Sequence, residues 1–259
     1  MSENARAAES GSESLSPIVE LRQYTLHPGQ RDVLIELFER EFIESQETLG
    51  ARVIGQFRDL DHPDLFVWLR GFADMPTRAR ALTEFYGGPV WHAHREAANA
   101  TMVDSDNVLL LRPARPGTAF RLTAATHPAL DARTISAGLV LATIYYLRPS
   151  AVAEFGGWFE ESLRPVLRDA GVAPIATFVS ETSPNNFPRL PVREGESVFV
   201  WFACFADTPV YERSMSLLAK SAEWREQSTQ LAARLRNVPE VHRLSPATRS
   251  LLRDCAPGS

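Results

Sequence analysis

The stretch that decides the fold is Trp68-Leu69-Arg70-Gly71-Phe72-Ala73-Asp74-Met75-Pro76, because its pattern occurs a second time in the chain. The second copy is Trp201-Phe202-Ala203-Cys204-Phe205-Ala206-Asp207-Thr208-Pro209. Five of the nine residues are identical, in the pattern W-x-x-x-F-A-D-x-P, and the copies lie 133 residues apart. The same spacing relates three further pairs: Phe66 and Phe199, Arg80 and Arg213, and Trp91 and Trp224. Self-similarity of this kind indicates a duplicated structural unit.

Upstream of this motif the spacing between the copies changes. Tyr24 aligns with Tyr146 at a spacing of 122, so we expect eleven additional residues in the second copy, within residues 181–196. Pro184, Pro188 and Pro191 exclude a regular helix or a central strand there. We therefore expect a long loop, which either covers a pocket or contacts a partner subunit.

Both copies have the same predicted order of elements, β-α-β-β-α-β, which is the ferredoxin-like arrangement. In the first copy the expected strands are 18–26, 52–59, 65–72 and 107–112, and the expected helices are 30–49, 75–86 and 89–102. The strand 65–72 is apolar on both faces, as expected where one face meets helices and the other a second sheet. The fold class predicted is α+β, with two tandem ferredoxin-like repeats packed sheet to sheet as an internal dimeric α+β barrel.

The duplication also divides the chain into domains. We expect a disordered tail at 1–16, a first domain at 17–113, a linker at 114–136, a second domain at 137–246 and a C-terminal tail at 247–259.

Composition excludes several classes of protein. The chain has 259 residues and a net charge of −5, which argues against a general nucleic-acid binder. No apolar run approaches the roughly 20 residues that cross a bilayer, and the N-terminus lacks the pattern of a secretory signal, so we expect a cytoplasmic protein. With two cysteines, a Cys-rich metal site is excluded.

The residues resemble a known family. Glu20-Leu21-Arg22-Gln23-Tyr24, Pro28-Gly29, Gly55, Phe66, Trp68 and the helix start at Pro89 and Trp91 are similar to the NIPSNAP family of dimeric α+β barrels. In the second copy, Ala142–Tyr146 keeps only the tyrosine of the first signature, and Thr177 stands at the position of Gly55. Together with the long loop, this resembles the tandem-domain bacterial branch. The resemblance implies the fold but no single reaction, since the wider superfamily includes cofactor-free oxygenases, isomerases and cyclases, binding domains and haem enzymes.

Glu20, Arg22 and Tyr24 are candidate site residues because alternation along a strand places all three on one face. A carboxylate, a guanidinium and a phenol in a row are suited to orient a polar substrate group. The alternative is a charge-paired strand face that holds the fold together.

Arg70 shares its face with Trp68, and its counterpart in the second copy is Ala203. An arginine among aromatic residues either binds an anion, such as a carboxylate or enolate, or pairs with a carboxylate such as Glu20. The Arg/Ala difference favours one anion site in the chain, in the first copy only.

Trp91 and His94 share the apolar side of the last helix of the first copy. His94 and Tyr24 are the candidates for proton transfer, because an imidazole titrates near neutrality. A core or capping role for His94 is the alternative. In the second copy, Tyr146, Asn185 and Asn186 are further candidates for contact with substrate.

The function predicted is binding of a small apolar or carbonyl-containing molecule between sheet and helices, without cofactor or metal, with cofactor-independent catalysis left open. A cavity of about 300 Å³ or more beside Trp68, Trp91 and Arg70 would favour this hypothesis. The alternatives are a non-catalytic interaction module with an exposed apolar patch at Phe187 and a haem-binding barrel with His94 as ligand. A homo-oligomer is left open.

Overall fold

The computed structural model describes residues 16–122, 126–134 and 136–253. The expected N-terminal tail therefore lies outside the described residues apart from Ser16, as do parts of the expected linker and residues 254–259 of the expected C-terminal tail. Within the described residues, no helix combines the length and the apolar character needed to cross a membrane.

The first repeat has four strands and two helical segments, one after the first strand and one after the third, in the predicted order. Its elements are β1 (Ile18–Leu26), α1 (Arg31–Leu37), a π-helical turn (Phe38–Phe42), α2 (Ile43–Glu47), β2 (Arg52–Asp59), β3 (Leu65–Phe72), α3 (Met75–Gly87), α4 (Pro89–Asn99) and β4 (Met102–Pro113).

The second repeat has the same sequence of elements. They are β5 (Leu139–Tyr146), a 3₁₀ turn (Pro149–Ala151), α5 (Val152–Trp158), a π-helical turn (Phe159–Leu163), α6 (Arg164–Asp169), β6 (Pro174–Ser180), β7 (Val198–Phe205), α7 (Thr208–Lys220), α8 (Ala222–Arg234) and β8 (Glu240–Pro246).

The eight strands form one closed antiparallel barrel in the order β1-β3-β2-β8-β5-β7-β6-β4. The repeats meet at two short seams, β2 with β8 and β4 with β6, each of three residue pairs. The predicted fold class is thus confirmed, and the two sheets are joined at both edges, so that neither repeat keeps a free strand edge.

The core lies in three layers. Val67 and Leu69 point into the barrel, where both repeats contribute to one apolar cluster. Phe66, Trp68 and Phe72 point to the helices of the first repeat. The helices of the second repeat cover a corresponding third cluster. The prediction that β3 is buried on both faces is therefore confirmed.

The recurring motif joins a strand to a helix in both repeats. Asp74 caps α3 by accepting a hydrogen bond from Thr77 N at 2.6 Å, and Asp207 caps α7 by accepting one from Val210 N at 2.7 Å. A proline follows within the first two helical positions of each helix. An N-cap aspartate and an early proline both favour a helix start, which explains the A-D-x-P part of the motif.

The strand register corrects the sequence alignment by one residue. Arg22 lies opposite Trp68, and in the second repeat Thr143 lies opposite Trp201. The spacing before the inserted loop is therefore 121, so that Tyr24 corresponds to Tyr145 and not to Tyr146 as expected. For the same reason Gly55 corresponds to Ala176 and not to Thr177, and the insertion is twelve residues long. A slip of one residue moves a side chain to the opposite face of a sheet, so the correction matters for the site.

A π-helical turn interrupts the first helix of each repeat at corresponding positions, at Phe38–Phe42 and at Phe159–Leu163. The sequence predicts an uninterrupted helix over 30–49, because a π turn leaves no periodicity signal in one sequence. In the first repeat the side chain of Gln46 donates to the carbonyl of Phe42 at 2.8 Å. Such turns occur often at functional sites.

Residues 247–253, expected to be part of a tail, lie against β2. Ala247 N donates to Gln56 O, and Leu252 N donates to Ile54 O. Arg249 is 4% exposed and its guanidinium binds the carboxylate of Glu44. This segment therefore extends the packing of the first repeat.

Candidate functional site

The space between sheet and helices contains a cavity at the corresponding place in each repeat. The first-repeat cavity, beside Trp68 and Trp91, has a volume of about 90 Å³. The second-repeat cavity, beside Trp201 and Trp224, has a volume of about 330 Å³. The two cavities differ in volume because charged side chains fill the surrounding space in the first repeat and apolar or uncharged side chains replace them in the second.

In the first repeat, four fully buried charged side chains form a cluster, which we call the arginine cluster: Glu20, Arg22, Arg70 and Arg78. Glu20 and Arg22 come from β1, Arg70 comes from β3 where it lies opposite Glu20, and Arg78 comes from α3. One Glu20 oxygen accepts from Arg22 Nη1 at 2.7 Å and from Arg70 Nη2 at 2.6 Å, and the other accepts from Arg78 Nε at 2.6 Å. A single carboxylate thus binds three guanidinium groups.

Uncharged oxygen atoms complete part of the arginine cluster. Arg22 Nε donates to the Tyr24 hydroxyl at 2.8 Å, and Arg70 Nη1 donates to Gln46 Oε1 at 2.7 Å. Arg78 Nη1 donates to the side-chain oxygens of Asn185 and Asn186 at 3.0 and 2.7 Å. The inserted loop of the second repeat (residues 181–196) therefore reaches across to the site of the first.

Burial and charge act in opposite directions on the pKa of Glu20. Burial alone raises the pKa, but the nearby guanidinium groups of Arg70, Arg22 and Arg78 hold it well below its usual range. Burial raises the pKa of Tyr24, although Arg22 opposes this effect. At neutral pH Glu20 is therefore ionised and Tyr24 keeps its proton.

Aromatic side chains form most of the first-repeat cavity. Its walls include Tyr24, Phe42, Trp68, Tyr86 and Trp91. The inserted loop closes one side, where Leu190 lines the cavity and Phe187 stacks on Tyr86 with ring centroids 5.9 Å apart. Arg70 does not line this cavity, whose volume is below the roughly 300 Å³ typical of ligand pockets.

In the second repeat, apolar or uncharged residues replace the arginine cluster. Before the inserted loop the spacing of 121 places Leu141 at the position of Glu20, Thr143 at that of Arg22 and Leu167 at that of Gln46. After the loop the spacing of 133 places Ala203 at the position of Arg70 and Tyr211 at that of Arg78. Four of these five, all except Ala203, line the second-repeat cavity. Loss of three long arginine side chains and their carboxylate explains why this site is hollow and apolar.

The second-repeat cavity opens beside β8. Val241 belongs to its lining and is 44% exposed, and nearby Val238 is 85% exposed. Thr143 and Tyr145 supply polar groups from β5, and burial raises the pKa of Tyr145 above its usual range. The cavity can therefore admit an apolar molecule and offer it a hydrogen-bond donor.

Seven of the predicted site residues lie together at the site of the first repeat. Glu20, Arg22, Tyr24, Trp68, Arg70, Asn185 and Asn186 belong to the arginine cluster or are in contact with it. Trp91 lies across the first-repeat cavity from Trp68.

Two predicted site residues lie elsewhere. His94 packs on Phe42, and its Nε2 is 3.3 Å from Glu41, away from the lining of either cavity. Tyr146 belongs to the barrel core, and its hydroxyl bonds to Glu240 at 2.8 Å and to Arg193 at 2.7 Å. The register explains the placement of Tyr146, because its neighbour Tyr145 is the true counterpart of Tyr24.

Sequence reasoning missed Arg78 and Gln46. Arg78 lies one turn before Leu82, on the same face of α3 as Ala81 and Phe85. An arginine on the apolar face of a helix was therefore the signal in the sequence that could have identified Arg78. Gln46 occupies a buried position of α2, where a polar side chain needs a hydrogen-bond partner.

A second buried polar group lies at the seam between β2 and β8. His242 Nδ1 is 2.7 Å from Asp59, and His242 Nε2 is 2.9 Å from Glu240. Burial alone lowers the pKa of His242, but hydrogen bonds to the two carboxylates raise it to about 9. Asp59, His62 and His242 lie close enough together to be considered as metal ligands. However, one carboxylate oxygen of Asp59 already accepts hydrogen bonds from the backbone amides of Asp61 and His62.

A third concavity, of about 590 Å³, lies between α5 and the inserted loop. Its lining combines Arg112, Arg115 and Arg193 with Glu181 and Glu196. Arg193 and Glu196 pair with each other at 2.9 Å. This concavity is a polar groove of mixed charge.

The fold and the paired sites define a class of protein, the two-repeat α/β barrel with a sheet–helix cavity in each half. Residues 19–116, which span the first repeat, match the model of the NIPSNAP family, in agreement with the predicted resemblance.

Three solved structures illustrate the similarity. A candidate monooxygenase from Lactobacillus acidophilus NCFM has a TM-score of 0.54 at 14% identity, covering 90% of this chain and 94% of that one. An anthrone oxidase-like protein has a TM-score of 0.55 at 11% identity, covering 91% and 93%. A NIPSNAP-like domain protein from Burkholderia xenovorans is 22% identical over 44% of this chain and 88% of its own, with a TM-score of 0.35. At these identities the first two establish a shared fold.

Among curated protein sequences, none matches this chain.

Proposed function

We propose that this protein binds a small, largely apolar molecule with a carbonyl group in the second-repeat cavity. The observation that carries the proposal is the volume of about 330 Å³ beneath α7 and α8, with aromatic walls at Trp201 and Trp224. Pockets that bind small molecules have about this volume and are mostly apolar with a few polar groups.

The polar groups of the cavity support a carbonyl compound as the ligand. A tyrosine phenol is protonated at neutral pH and burial raises the pKa of Tyr145 further, so the phenol can act as a donor. A donor in an apolar site stabilises a carbonyl oxygen and, more strongly, an oxyanion that develops from it. Apart from Tyr145 and Tyr211, no titratable side chain lines this cavity in the described part of the chain. Binding is therefore the proposal, and oxyanion stabilisation is the chemistry that this chain could add.

The names of two proteins with a similar fold are consistent with such a ligand. One neighbour is named as a candidate monooxygenase and another as an anthrone oxidase-like protein. Anthrone is a flat aromatic ketone, a class of molecule that suits an aromatic-walled cavity of this volume.

The two other hypotheses lack the features they require. An interaction module was expected to expose an apolar patch at Phe187, but Phe187 is 6% exposed and stacks on Tyr86. A haem site needs an axial histidine, and no histidine lines either cavity among the residues that the structure describes.

The test is a fluorescence titration with the uncharged apolar probe N-phenyl-1-naphthylamine. We expect one probe per chain, with blue-shifted emission and energy transfer from Trp201 and Trp224. Ala232→Trp places an indole at the cavity, because Ala232 lines it and is exposed. We expect at least tenfold weaker binding in this variant.

Ala233→Trp is the matched control, because Ala233 is the next residue of α8, is exposed and does not line the cavity. It should bind the probe as the parent protein does, and thermal unfolding of both variants checks that they fold. Equal probe binding by the two variants would overturn the assignment of the ligand to this cavity.

A further inference from the structure

We propose that the arginine cluster of the first repeat is a binding site for a small carboxylate anion. The site is separate from the second-repeat cavity and takes a different class of ligand. Its first support is charge: three arginines and one glutamate, all 0% exposed, sum to +2. Glu20 is the one carboxylate that pairs with these three guanidinium groups in the described part of the chain.

Arginine cannot relieve this charge by losing a proton, because its pKa is too high in proteins. Burial lowers the pKa of Arg22, but the neighbouring Tyr24 and Glu20 hold it above its usual range. Burial lowers the pKa of Arg78, and Glu20 opposes this effect. A buried charge is expected to be paired, so the excess of positive charge requires an anion.

The second support is a pair of unused donors. Nη2 of Arg22 and Nη2 of Arg78 are both buried and have no hydrogen-bond partner. Arg22 Nη1 and Arg78 Nε bind the two oxygens of the same Glu20 carboxylate, so both guanidinium groups lie beside that carboxylate. Two guanidinium groups with free N–H bonds are the arrangement that recognises a carboxylate.

The third support is space for the rest of the molecule. The guanidinium of Arg22 lies over the rings of Tyr24 and Trp68, at 5.3 and 5.5 Å, and these rings are walls of the first-repeat cavity. The volume of about 90 Å³ is about three times that of a water molecule in the liquid. The proposed ligand is therefore a short-chain acid whose tail lies among these rings and whose carboxylate reaches past them to Arg22 and Arg78, which do not themselves line the cavity.

The inserted loop covers this site. Asn185 and Asn186 bind Arg78, and Asn186 Nδ2 donates to Met75 O at 2.6 Å. Access of the acid therefore requires these contacts to open.

The test compares propionate with propionamide, its uncharged analogue, by calorimetry and thermal unfolding at an ionic strength held constant with sodium chloride. We expect propionate to bind with one-to-one stoichiometry and to raise the unfolding midpoint, and propionamide to do neither. Arg78→Met should weaken propionate binding at least tenfold. Arg80→Met is the matched control, because Arg80 is exposed on the same helix, and it should bind normally.

A second readout needs no variant. In ¹⁵N-labelled parent protein, the Nε–H signals of the buried arginines should shift with propionate and not with propionamide. Identical responses to the two compounds, or equal loss of binding in the Arg78 and Arg80 variants, would overturn the proposal. The Ala232→Trp variant should bind propionate normally, which separates failure of this site from failure of the second-repeat cavity.

Discussion

Glu20 pairs with all three arginines of the arginine cluster, and Glu20→Gln tests how much stability these pairs contribute. The carboxylate accepts four hydrogen bonds, from Arg22 Nη1, from Nη2 and Nε of Arg70, and from Arg78 Nε. The amide removes the negative charge and puts an NH₂ group in place of one of the two accepting oxygens, so that the buried charge of the cluster rises from +2 to +3.

The expected cost follows from this geometry. Removing one member of a buried ion pair costs about 3–5 kcal/mol, because the remaining charge stays buried without compensation. For a protein of this size, each kcal/mol lowers the thermal midpoint by roughly 2–4 °C, so we expect a decrease of about 6–20 °C.

The assays are thermal unfolding and equilibrium unfolding in urea, both followed by tryptophan fluorescence. Asp61→Asn is the control, because Asp61 forms an ion pair with Arg243 whose side chains are 40% and 31% exposed. An exposed pair of this kind contributes at most about 1 kcal/mol. If Glu20→Gln costs no more than Asp61→Asn, the carboxylate does not hold the cluster together and the reasoning fails.

Two further predictions concern the seam and the second repeat. The pKa of His242 is raised to about 9 from 6.5, so its contribution to stability is complete below pH 6.5 and is lost as the pH rises through 9. The urea midpoint should therefore fall between pH 6.5 and 9.5 in the parent protein, and a fall of equal size in His242→Gln would contradict this. Ala203→Arg places a buried cation opposite Leu141, the register partner that corresponds to Glu20. It should destabilise the protein by several kcal/mol, about the cost of an uncompensated buried charge. Adding Leu141→Glu should recover part of that loss of stability and should reduce binding of the apolar probe. If the urea midpoint does not recover, the correspondence between the repeats is contradicted.

The fold could be predicted from the sequence because duplication leaves a local signal. The motif beginning at Trp68 and Trp201 combines a strand buried on both faces with a helix cap, and each requirement restricts the residue types at its position. The alignment before the inserted loop failed by one residue because two adjacent tyrosines, Tyr145 and Tyr146, both matched Tyr24. Only the pairing of β5 with β7 decides between them.

The candidate site could be predicted in part. Alternation along β1 and β3 correctly brings Glu20, Arg22 and Arg70 to one face, since period two is a property of every strand. The second-repeat cavity left no such signal, because it results from smaller or apolar residues at Leu141 and Ala203 and not from a motif. The contact of Asn185 with Arg78 joins residues 107 positions apart, a distance that no local pattern specifies.

The closed barrel has a consequence for how the two halves can diverge. In a barrel made of two identical chains, every substitution occurs twice, so both halves carry the same site. Here both halves belong to one polypeptide and are always present in equal number. A mutation that hollowed out the half containing Ala203 could therefore be tolerated while the half containing Arg70 kept its ionic framework, and a division of labour became available without a second gene product.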